Sequence, residues 1–217
     1  DILITLPSGN NGIVEKQRLW PPENETEEER LQVPADSVRS ITVGAIACKE
    51  RKDSIVKKGE LASYSCIGPG PAHTVKPDIV HYSGNLSIIN GDADFSKQGI
   101  ILLNSIGKQV EDVGTSYSTP LAARSLSLLQ HRLDHPSILL LKALIVHHSK
   151  NPLNSFQDNL AIKYVGYGLP STVDEMVGCG KNEITLIFEK EISQGYHLEC
   201  PFHWPASLIK NGKCFGE

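Results

Sequence analysis

The stretch Val113-Gly-Thr-Ser-Tyr-Ser-Thr-Pro120 leads into small and apolar residues at helical spacing that continue to His131. This spacing predicts a helix with Ser116 in its first turn, where Pro120 is also expected to be tolerated. A hydroxyl at a helix start faces backbone N–H groups that lack intrahelical partners, together with the positive end of the helix dipole. Both stabilise negative charge, so the position suits a nucleophile. An isolated serine at such a position usually serves only as a cap.

Short apolar segments elsewhere in the chain predict strands. They are bounded by glycine, proline or polar turn residues and comprise 2–6, 40–46, 77–82 and 99–104. Segments 40–46 and 77–82 are short and β-branched and are predicted to be central strands, and 99–104 supplies one more. A second helix is predicted from about Pro136 to Ser149, with Asp134 or His135 preceding its first turn. The two consecutive, largely apolar helices that follow these strands must be buried against the sheet, which gives an α/β fold with a parallel sheet flanked by helices.

Two segments depart from this pattern. Residues 21–30 contain five Glu, with capping-box spacing between Thr26 and Glu29, and are interpreted as a solvated surface excursion. Near the carboxyl end, apolar Ile184, Leu186 and Phe188 alternate with their neighbours, which predicts strand structure. We therefore divide the chain into residues 1–180, which form the α/β domain, and residues 181–217, which form a small β-hairpin or the start of an appended β-domain.

Composition excludes several classes of protein. The chain has 217 residues, of which 40% are hydrophobic and 21% charged, as in an ordinary folded domain rather than a disordered chain. Lys and Arg number 21 against 25 Asp and Glu, so no broad cationic surface is expected and nucleic acid is not an expected partner. The longest apolar stretch, 138–146, contains Lys142 and is far shorter than the roughly 20 residues that span a bilayer, so no membrane association is expected.

The five cysteines, at positions 48, 66, 179, 200 and 214, include no CxxC pair and no Cys/His cluster at zinc-ligand spacing. The acidic residues near 23–29 and at Asp92 and Asp94 lack the order of an EF-hand loop. We therefore expect no metal and no cofactor. An odd number of cysteines leaves at least one thiol unpaired, which favours a reducing, intracellular compartment.

Several segments follow one another in the order found in a single enzyme family. They resemble motifs of the subtilisin-like serine proteases, the subtilases, and comprise Leu6-Pro-Ser-Gly-Asn10, Ser40-Ile-Thr-Val-Gly-Ala-Ile46, Leu61-Ala-Ser-Tyr-Ser-Cys-Ile-Gly-Pro69 with Lys76-Pro-Asp-Ile-Val80, and Gly114-Thr-Ser-Tyr-Ser-Thr-Pro120. Residues 142–149 and Gly166-Tyr-Gly168 resemble the helix and turn that follow the nucleophile helix. The resemblance spans about residues 1–170 and implies the C-terminal part of a subtilase catalytic domain.

The resemblance also implies roles for individual residues. Ser116 would attack the scissile carbonyl of a polypeptide substrate and form an acyl-enzyme. Asn10 would donate its side-chain amide to the developing oxyanion, together with the backbone N–H of Ser116. The implied substrate-binding residues are those before Asn10 and those around the nucleophile: Leu6, Pro7, Ser8, Gly9, Gly114 and Tyr117. Pro7 and Tyr117 differ from the usual residues of the family, so the resemblance implies no particular substrate preference.

Two family segments are absent from these 217 residues. The Asp-Thr/Ser-Gly and His-Gly-Thr-His motifs, which carry the acid and the general base and precede the oxyanion Asn, do not occur. A serine hydroxyl is a weak nucleophile without an adjacent base, so the chain alone is expected to be inactive. His131, His147 and His148 lie on helices after Ser116, where nothing in the spacing directs them back to it.

An incomplete parallel sheet exposes an apolar edge that must be covered. We expect the missing N-terminal part of the same catalytic domain to cover it, or the chain to self-associate through it. A different class of function remains open, namely a non-catalytic binding or assembly module built on the subtilase scaffold. An unrelated α/β hydrolase is disfavoured, because its Gly-x-Ser-x-Gly motif fails at Ser118.

Overall fold

Three short apolar segments pair side by side into a parallel sheet. They are β1 (Thr5–Pro7), β2 (Ile41–Ala47) and β3 (Ile79–Ser83), and their spatial order is β1-β2-β3. Thr5 lies opposite Ile41, and Val43 lies opposite Ile79. Every residue of β2 is buried, as expected for a strand that is covered on both faces.

The computed structural model describes residues 2–11, 29–153, 158–178, 185–201, 206, 209–210 and 213–214. These belong to two compact units, Asp1–Ser171 and Thr172–Glu217. Most of the predicted acidic excursion, including Thr26, lies outside the described residues, as does Ile184. In the described part of the chain, no helix has the length and hydropathy needed to cross a membrane.

Helices in the described residues are α1 (Thr115–Arg132), α2 (Ile138–His147), α3 (Asp158–Val165) and α4 (Val173–Val177). Helix α1 packs against all three strands of the sheet and buries Ala122, Leu126 and Leu129. Helix α2 packs against α1 and begins after Ser137, whose Oγ accepts a hydrogen bond from the N–H of Leu140 at 3.0 Å. Ser137 is thus the N-cap, so α2 begins two residues after the predicted start at about Pro136, and neither Asp134 nor His135 caps it.

Pro120 lies deeper in α1 than its motif suggested. Because the helix begins at Thr115, Pro120 is its sixth residue and stands beyond the first turn. A proline there removes the N–H that would donate to the carbonyl of Ser116 four residues earlier. Ser118 and Thr119 both turn their hydroxyls back to the carbonyl of Thr115, at 2.9 and 2.8 Å. The first turn of α1 is therefore held partly by side chains.

Residues between β3 and α1 form two antiparallel hairpins outside the parallel sheet. The strands β4 (Ser87–Ile89) and β5 (Asp92–Asp94) make the first hairpin, and β6 (Ile100–Leu103) and β7 (Gln109–Asp112) make the second. The prediction that 99–104 is a central parallel strand is therefore wrong. An apolar run has the same sequence pattern in a central strand and in a hairpin. In this hairpin, Ile101 and Leu103 are 57% and 73% exposed.

The outer edge of β3 is covered by the Gly166-Tyr-Gly168 turn, so β3 is not the central strand that its sequence predicted. The N–H of Val80 donates to the carbonyl of Gly168 at 3.0 Å, and that of Tyr167 donates to the carbonyl of Asp78 at 2.9 Å. Gly166 has φ of +58°, and a Cβ there would lie 2.0 Å from the carbonyl oxygen of Pro77. Only glycine allows this close approach. The two-residue strands β8 (Ser149–Lys150) and β9 (Leu169–Pro170) pair beside it.

A buried ion pair joins the starts of β2 and β3. Lys76 is 2% exposed, and its Nζ lies 2.5 Å from Oδ2 of Asp78. The same ammonium group donates to Oγ1 of Thr42 at 3.0 Å and to the carbonyl of Ser40 at 3.1 Å. Asp78 Oδ2 also accepts from the backbone N–H of Thr42 at 2.6 Å. Both charges are thus hydrogen-bonded as well as paired, as a buried ion pair requires.

The described residues of the second unit form α4 and one hairpin. Thr172 and Glu175 form a capping box at the start of α4. The strands β10 (Ile209–Lys210) and β11 (Lys213–Cys214) pair antiparallel. Residues 185–201 contain no strand, so the alternation around Leu186 and Phe188 did not predict the position of the β-structure.

Candidate active site

Ser116 is the second residue of α1, and its side chain is exposed to solvent. Gly114 precedes the helix with φ of +145°, a conformation that residues with a Cβ rarely adopt. Among the described residues, no side chain or backbone group forms a hydrogen bond with the Ser116 hydroxyl. The nucleophile candidate therefore stands at an accessible helix N-terminus.

Asn10, in the loop after β1, reaches the start of α1. Its Oδ1 accepts hydrogen bonds from the backbone N–H of Thr115 at 2.8 Å and from the Thr115 hydroxyl at 3.0 Å. Its Nδ2 lies 3.4 Å from the position that a Cβ on Gly114 would occupy. The carboxamide thus caps α1 through its oxygen, and its N–H₂ group lies near Gly114 at the start of the helix.

The backbone around Asn10 is fixed by the segment after β2. The N–H of Asn11 donates to the carbonyl of Tyr64 at 2.7 Å, and the N–H of Cys66 donates to the carbonyl of Gly9 at 3.1 Å. Gln32, which the sequence motifs did not indicate, packs against Gly9, where a Cβ would meet its side chain at 2.8 Å. Its Nε2 donates to the carbonyl of Asn10 at 3.4 Å. The loop that carries Asn10 is therefore held from two sides.

The residues implied as substrate-binding differ in accessibility. Pro7 is exposed, and Leu6 and Tyr117 are partly exposed. Ser8 is fully buried, with its Oγ 3.4 Å from the Oγ of Ser65, and its N–H donates to the carbonyl of Val43 at 3.0 Å. The side chain of Ser8 thus packs within the fold, whereas the surfaces of Leu6, Pro7 and Tyr117 remain open to a ligand.

Gly114 is bonded on both of its backbone groups by one buried hydroxyl at the end of β3. Ser83 Oγ donates to the Gly114 carbonyl at 2.8 Å and accepts from the Gly114 N–H at 3.3 Å. The Tyr64 hydroxyl lies 2.9 Å from both Ser83 Oγ and the Gly84 carbonyl. Both Ser83 and Tyr64 are fully buried, and burial raises the pKa of Tyr64 above its usual range. The sequence motifs indicated no role for either side chain.

Tyr117, the residue after Ser116, is anchored to the end of β7. Its hydroxyl donates to Oδ2 of Asp112 at 2.5 Å, while Oδ1 of Asp112 accepts from the N–H of Val113 at 2.8 Å. The hydrogen bond to the carboxylate raises the pKa of Tyr117 to about 12, with desolvation adding to it. Tyr117 is thus a neutral hydrogen-bond donor throughout the physiological pH range, with its ring direction fixed.

No described histidine is bonded to Ser116. His147 and His148 stack edge to face, with their ring centroids 4.9 Å apart. On β3, His81 accepts at Nδ1 from the N–H of Tyr82 at 2.8 Å, and burial, with a smaller effect of Arg124, lowers its pKa to about 4. In the ranges that the structure describes, no group of three or more His, Cys, Asp or Glu is arranged to hold a metal ion.

The chain resembles known proteins in sequence and in fold. The model of the subtilase family matches residues 1–179. An uncharacterized protein of Sinorhizobium fredii, y4bN, is 29% identical over 142 residues, which are 57% of this chain and 33% of that protein. The chain therefore spans about a third of the length of this curated relative.

Two solved structures share the fold at low sequence identity. The prenylagaramide maturation protease PagA has a TM-score of 0.52 at 19% identity, and the match covers 81% of this chain and 50% of that one. The epidermin leader peptide processing serine protease of Staphylococcus aureus, as an S393A mutant, has a TM-score of 0.51 at 17% identity, and the match covers 82% and 40%. Because the family model matches most of its residues, and because the parallel sheet and helices agree with these protease folds, the chain belongs to the subtilase family of serine peptidases.

Proposed function

We propose that the chain is the part of a serine endopeptidase that carries the nucleophile and the oxyanion donors. The observation that carries the proposal is the contact between Asn10 and Thr115, which sets a carboxamide against the first turn of α1 beside the exposed Ser116. A helix start and a fixed amide donor both stabilise an anion that forms next to a serine hydroxyl. Membership in the subtilase family supports the same assignment.

In the proposed reaction, Ser116 Oγ bonds to the scissile carbonyl carbon and its proton passes to a base. The carbonyl oxygen becomes an oxyanion that accepts from Nδ2 of Asn10 and from the backbone N–H of Ser116. Collapse of the tetrahedral intermediate breaks the C–N bond, the base returns the proton to the leaving amine, and an acyl-enzyme remains. Water then hydrolyses the ester. Leu6, Pro7, Gly9 and Tyr117 surround the substrate in this proposal.

The base and its orienting acid come from outside these 217 residues in this proposal. The sequence contains neither family motif that carries them, and no described histidine forms a hydrogen bond with Ser116. We expect the chain by itself to hydrolyse no peptide at a useful rate, because the hydroxyl keeps its proton.

The free edge of β1 supports a polypeptide partner that completes the domain. Within the described residues β1 pairs only with β2, and Ile2 and Ile4 before it are 87% and 55% exposed. A cavity of about 570 Å³ lies between this strand and the two helices α1 and α2, and its lining includes Leu126 and Leu141. An apolar strand with its attached helix would satisfy the open backbone groups and fill the cavity. We assign this place to the N-terminal part of the catalytic domain.

Labelling with a fluorophosphonate, followed by mass spectrometry, tests the proposed function. In the longest natural polypeptide that contains these residues, we expect modification of Ser116, and we expect none in the 217-residue chain. Ser116→Ala should abolish labelling. The matched variant Ser125→Ala changes a serine on the same helix whose hydroxyl donates to the Leu121 carbonyl, and it should retain labelling. An unlabelled natural protein would favour the alternative, a non-catalytic binding or assembly module.

The partner is tested separately by size-exclusion chromatography with light scattering. We expect the 217-residue chain to associate with the polypeptide that carries the Asp and His motifs. Association with a second copy of itself is the competing outcome. If the chain stays monomeric, binds neither that polypeptide nor a second copy of itself, and does not aggregate, the assignment of the β1 edge is contradicted.

A further inference from the structure

The two residues before Ser116 are held by side chains from two different strand ends. The loop after β1 supplies Asn10, which fixes Thr115, and the last residue of β3 supplies Ser83, which fixes Gly114. Parallel strands bring their carboxyl ends to one edge of the sheet, and α1 begins at that edge. The contact with Asn10 belongs to the proposed oxyanion site, whereas the contact with Ser83 lies outside the reaction described for that site.

The Ser83 contact is unusual because one hydroxyl bonds both backbone groups of a single residue. Its proton goes to the Gly114 carbonyl, which also accepts from the Tyr117 N–H at 3.0 Å, and its lone pairs face the Gly114 N–H and the Tyr64 hydroxyl. Gly114 has φ of +145°. Because glycine has no Cβ, its own backbone preference does not hold it at this angle. The hydroxyl therefore adds a restraint on both backbone groups of this residue.

We propose that Ser83, supported by Tyr64, is a positioning residue that sets the direction of the Ser116 hydroxyl and of its backbone N–H. This inference rests on the proposed function and adds residues to it. Rotation at Gly114 would turn the first peptide units of α1 away from Asn10, so the two oxyanion donors would no longer converge. Small displacements of such groups have large effects on rate, since a shift of about 1 Å can cost about 100-fold.

The Tyr64 hydroxyl supports Ser83 and still has a hydrogen-bond acceptor when Ser83 is replaced. Its hydroxyl lies equally close to the Gly84 carbonyl, so it keeps a partner when the serine hydroxyl is removed. Ser83→Ala therefore leaves no buried tyrosine hydroxyl unsatisfied and should fold. Ser87→Ala is the matched control, because Ser87 is also a fully buried strand serine that accepts a hydrogen bond, from Gln98 Nε2 at 2.8 Å, but lies on β4 away from Gly114.

The test measures kcat, KM and amide exchange in the longest natural polypeptide containing these residues. Ser83→Ala should lower kcat about 10-fold to 100-fold while KM stays within about threefold, because alignment rather than binding is lost. Hydrogen exchange in peptides covering 113–117 should accelerate in the same variant. Ser87→Ala should change neither the kinetic constants nor this exchange. Tyr64→Phe should reduce kcat about threefold, since Ser83 can still bond Gly114.

Each outcome decides the proposal. If Ser83→Ala retains kcat within twofold and leaves exchange at 113–117 unchanged, Ser83 is not a positioning residue. If it does not fold, the same two measurements on Tyr64→Phe decide, and wild-type values in both would overturn the proposal. If the wild-type protein reacts with no fluorophosphonate, the proposed function fails. Hydrogen exchange at 113–117 is then the measurement that tests the contact between Ser83 and Gly114.

Discussion

The side-chain carbonyl of Asn10 accepts two hydrogen bonds from one residue, the N–H and the hydroxyl of Thr115, at 2.8 and 3.0 Å. This double contact determines which end of the carboxamide faces the helix. Because the oxygen is occupied by donors, the nitrogen is the end of the carboxamide that the proposed oxyanion site uses. In that proposal, anchoring and donation fall to different atoms of one side chain, and mutation can separate them.

Asn10→Asp should separate them. A carboxylate still accepts from the Thr115 N–H and hydroxyl, so we expect a thermal midpoint close to that of the wild type. It offers no N–H and adds negative charge where an oxyanion forms, so kcat for peptide hydrolysis should fall by at least about 10²-fold, the lower end of the loss known for this donor in subtilisin. Gln109→Ala, an exposed amide on β7, is the control and should not change turnover. An Asn10→Asp protein with wild-type kcat would contradict the donor role.

Thr115→Val should weaken the attachment of the Asn10 carboxamide to Thr115 while keeping the shape of the side chain at position 115. Thr115 is fully buried, and valine replaces only its hydroxyl, so Asn10 Oδ1 keeps the bond from the backbone N–H and loses the other. Freer rotation of the carboxamide should lower kcat about tenfold. Steady-state kinetics with a peptide substrate measures the loss. Thr115→Ser retains the hydroxyl and should behave like the wild type, and equal effects of the two variants would show that the hydroxyl has no part in anchoring.

His81 should make the fold sensitive to acid. Burial lowers its pKa from 6.5 to about 4. Between these two pH values, His81 is protonated in the unfolded chain and neutral in the folded chain. The free energy of unfolding should therefore be highest above about pH 6.5 and decrease as the pH falls toward about 4, with His81 contributing at most about 3 kcal/mol.

Urea denaturation at pH 7 and at pH 4.5 measures this effect of His81. His81→Gln cannot take up a proton, so the stability difference between the two pH values should shrink relative to the wild type. His73→Gln, which changes an exposed histidine on the 3₁₀ turn at Pro71–His73, serves as the control and should keep the wild-type difference. An unchanged difference in His81→Gln would show that the buried imidazole is not the group that responds.

Lys76→Met should destabilise the fold by about 3–5 kcal/mol. Removing the ammonium group leaves the Asp78 carboxylate partly buried without its charged partner, and it also removes the donors to Thr42 and Ser40. Chemical denaturation measures the loss. The double variant Lys76→Met with Asp78→Asn should recover part of it, because no unpaired charge remains. A double variant less stable than Lys76→Met alone would contradict this account.

The sequence predicted those parts of the fold that depend on local pattern. Segments 40–46 and 77–82 correspond closely to β2 and β3, and the helix after Gly114 corresponds to α1. It failed at 99–104, because an apolar run is compatible with both a buried central strand and a hairpin, and the choice depends on which segment pairs with it. Helix α3 was not predicted at all, although it buries Tyr164 and Val165 in the core.

The candidate site shows the same limit. Asn10 and Ser116 lie in motifs that can be read along the chain, and the structure brings Asn10 to the residue before Ser116. Ser83 and Tyr64 act on Gly114 through hydrogen bonds that join residues 31 and 19 positions apart, and a buried serine or tyrosine has no local pattern that reveals such a partner. Contacts of this kind are fixed by tertiary structure alone.

The hydrogen bond between Asn10 and Thr115 joins residues that are 105 positions apart. A closure over this length cannot form until the sheet has assembled and α1 has docked on it. Under the proposed function, the serine therefore leaves the ribosome as an ordinary alcohol and gains its oxyanion donor only after the intervening chain has folded. Folding of this chain is then a precondition for cleavage.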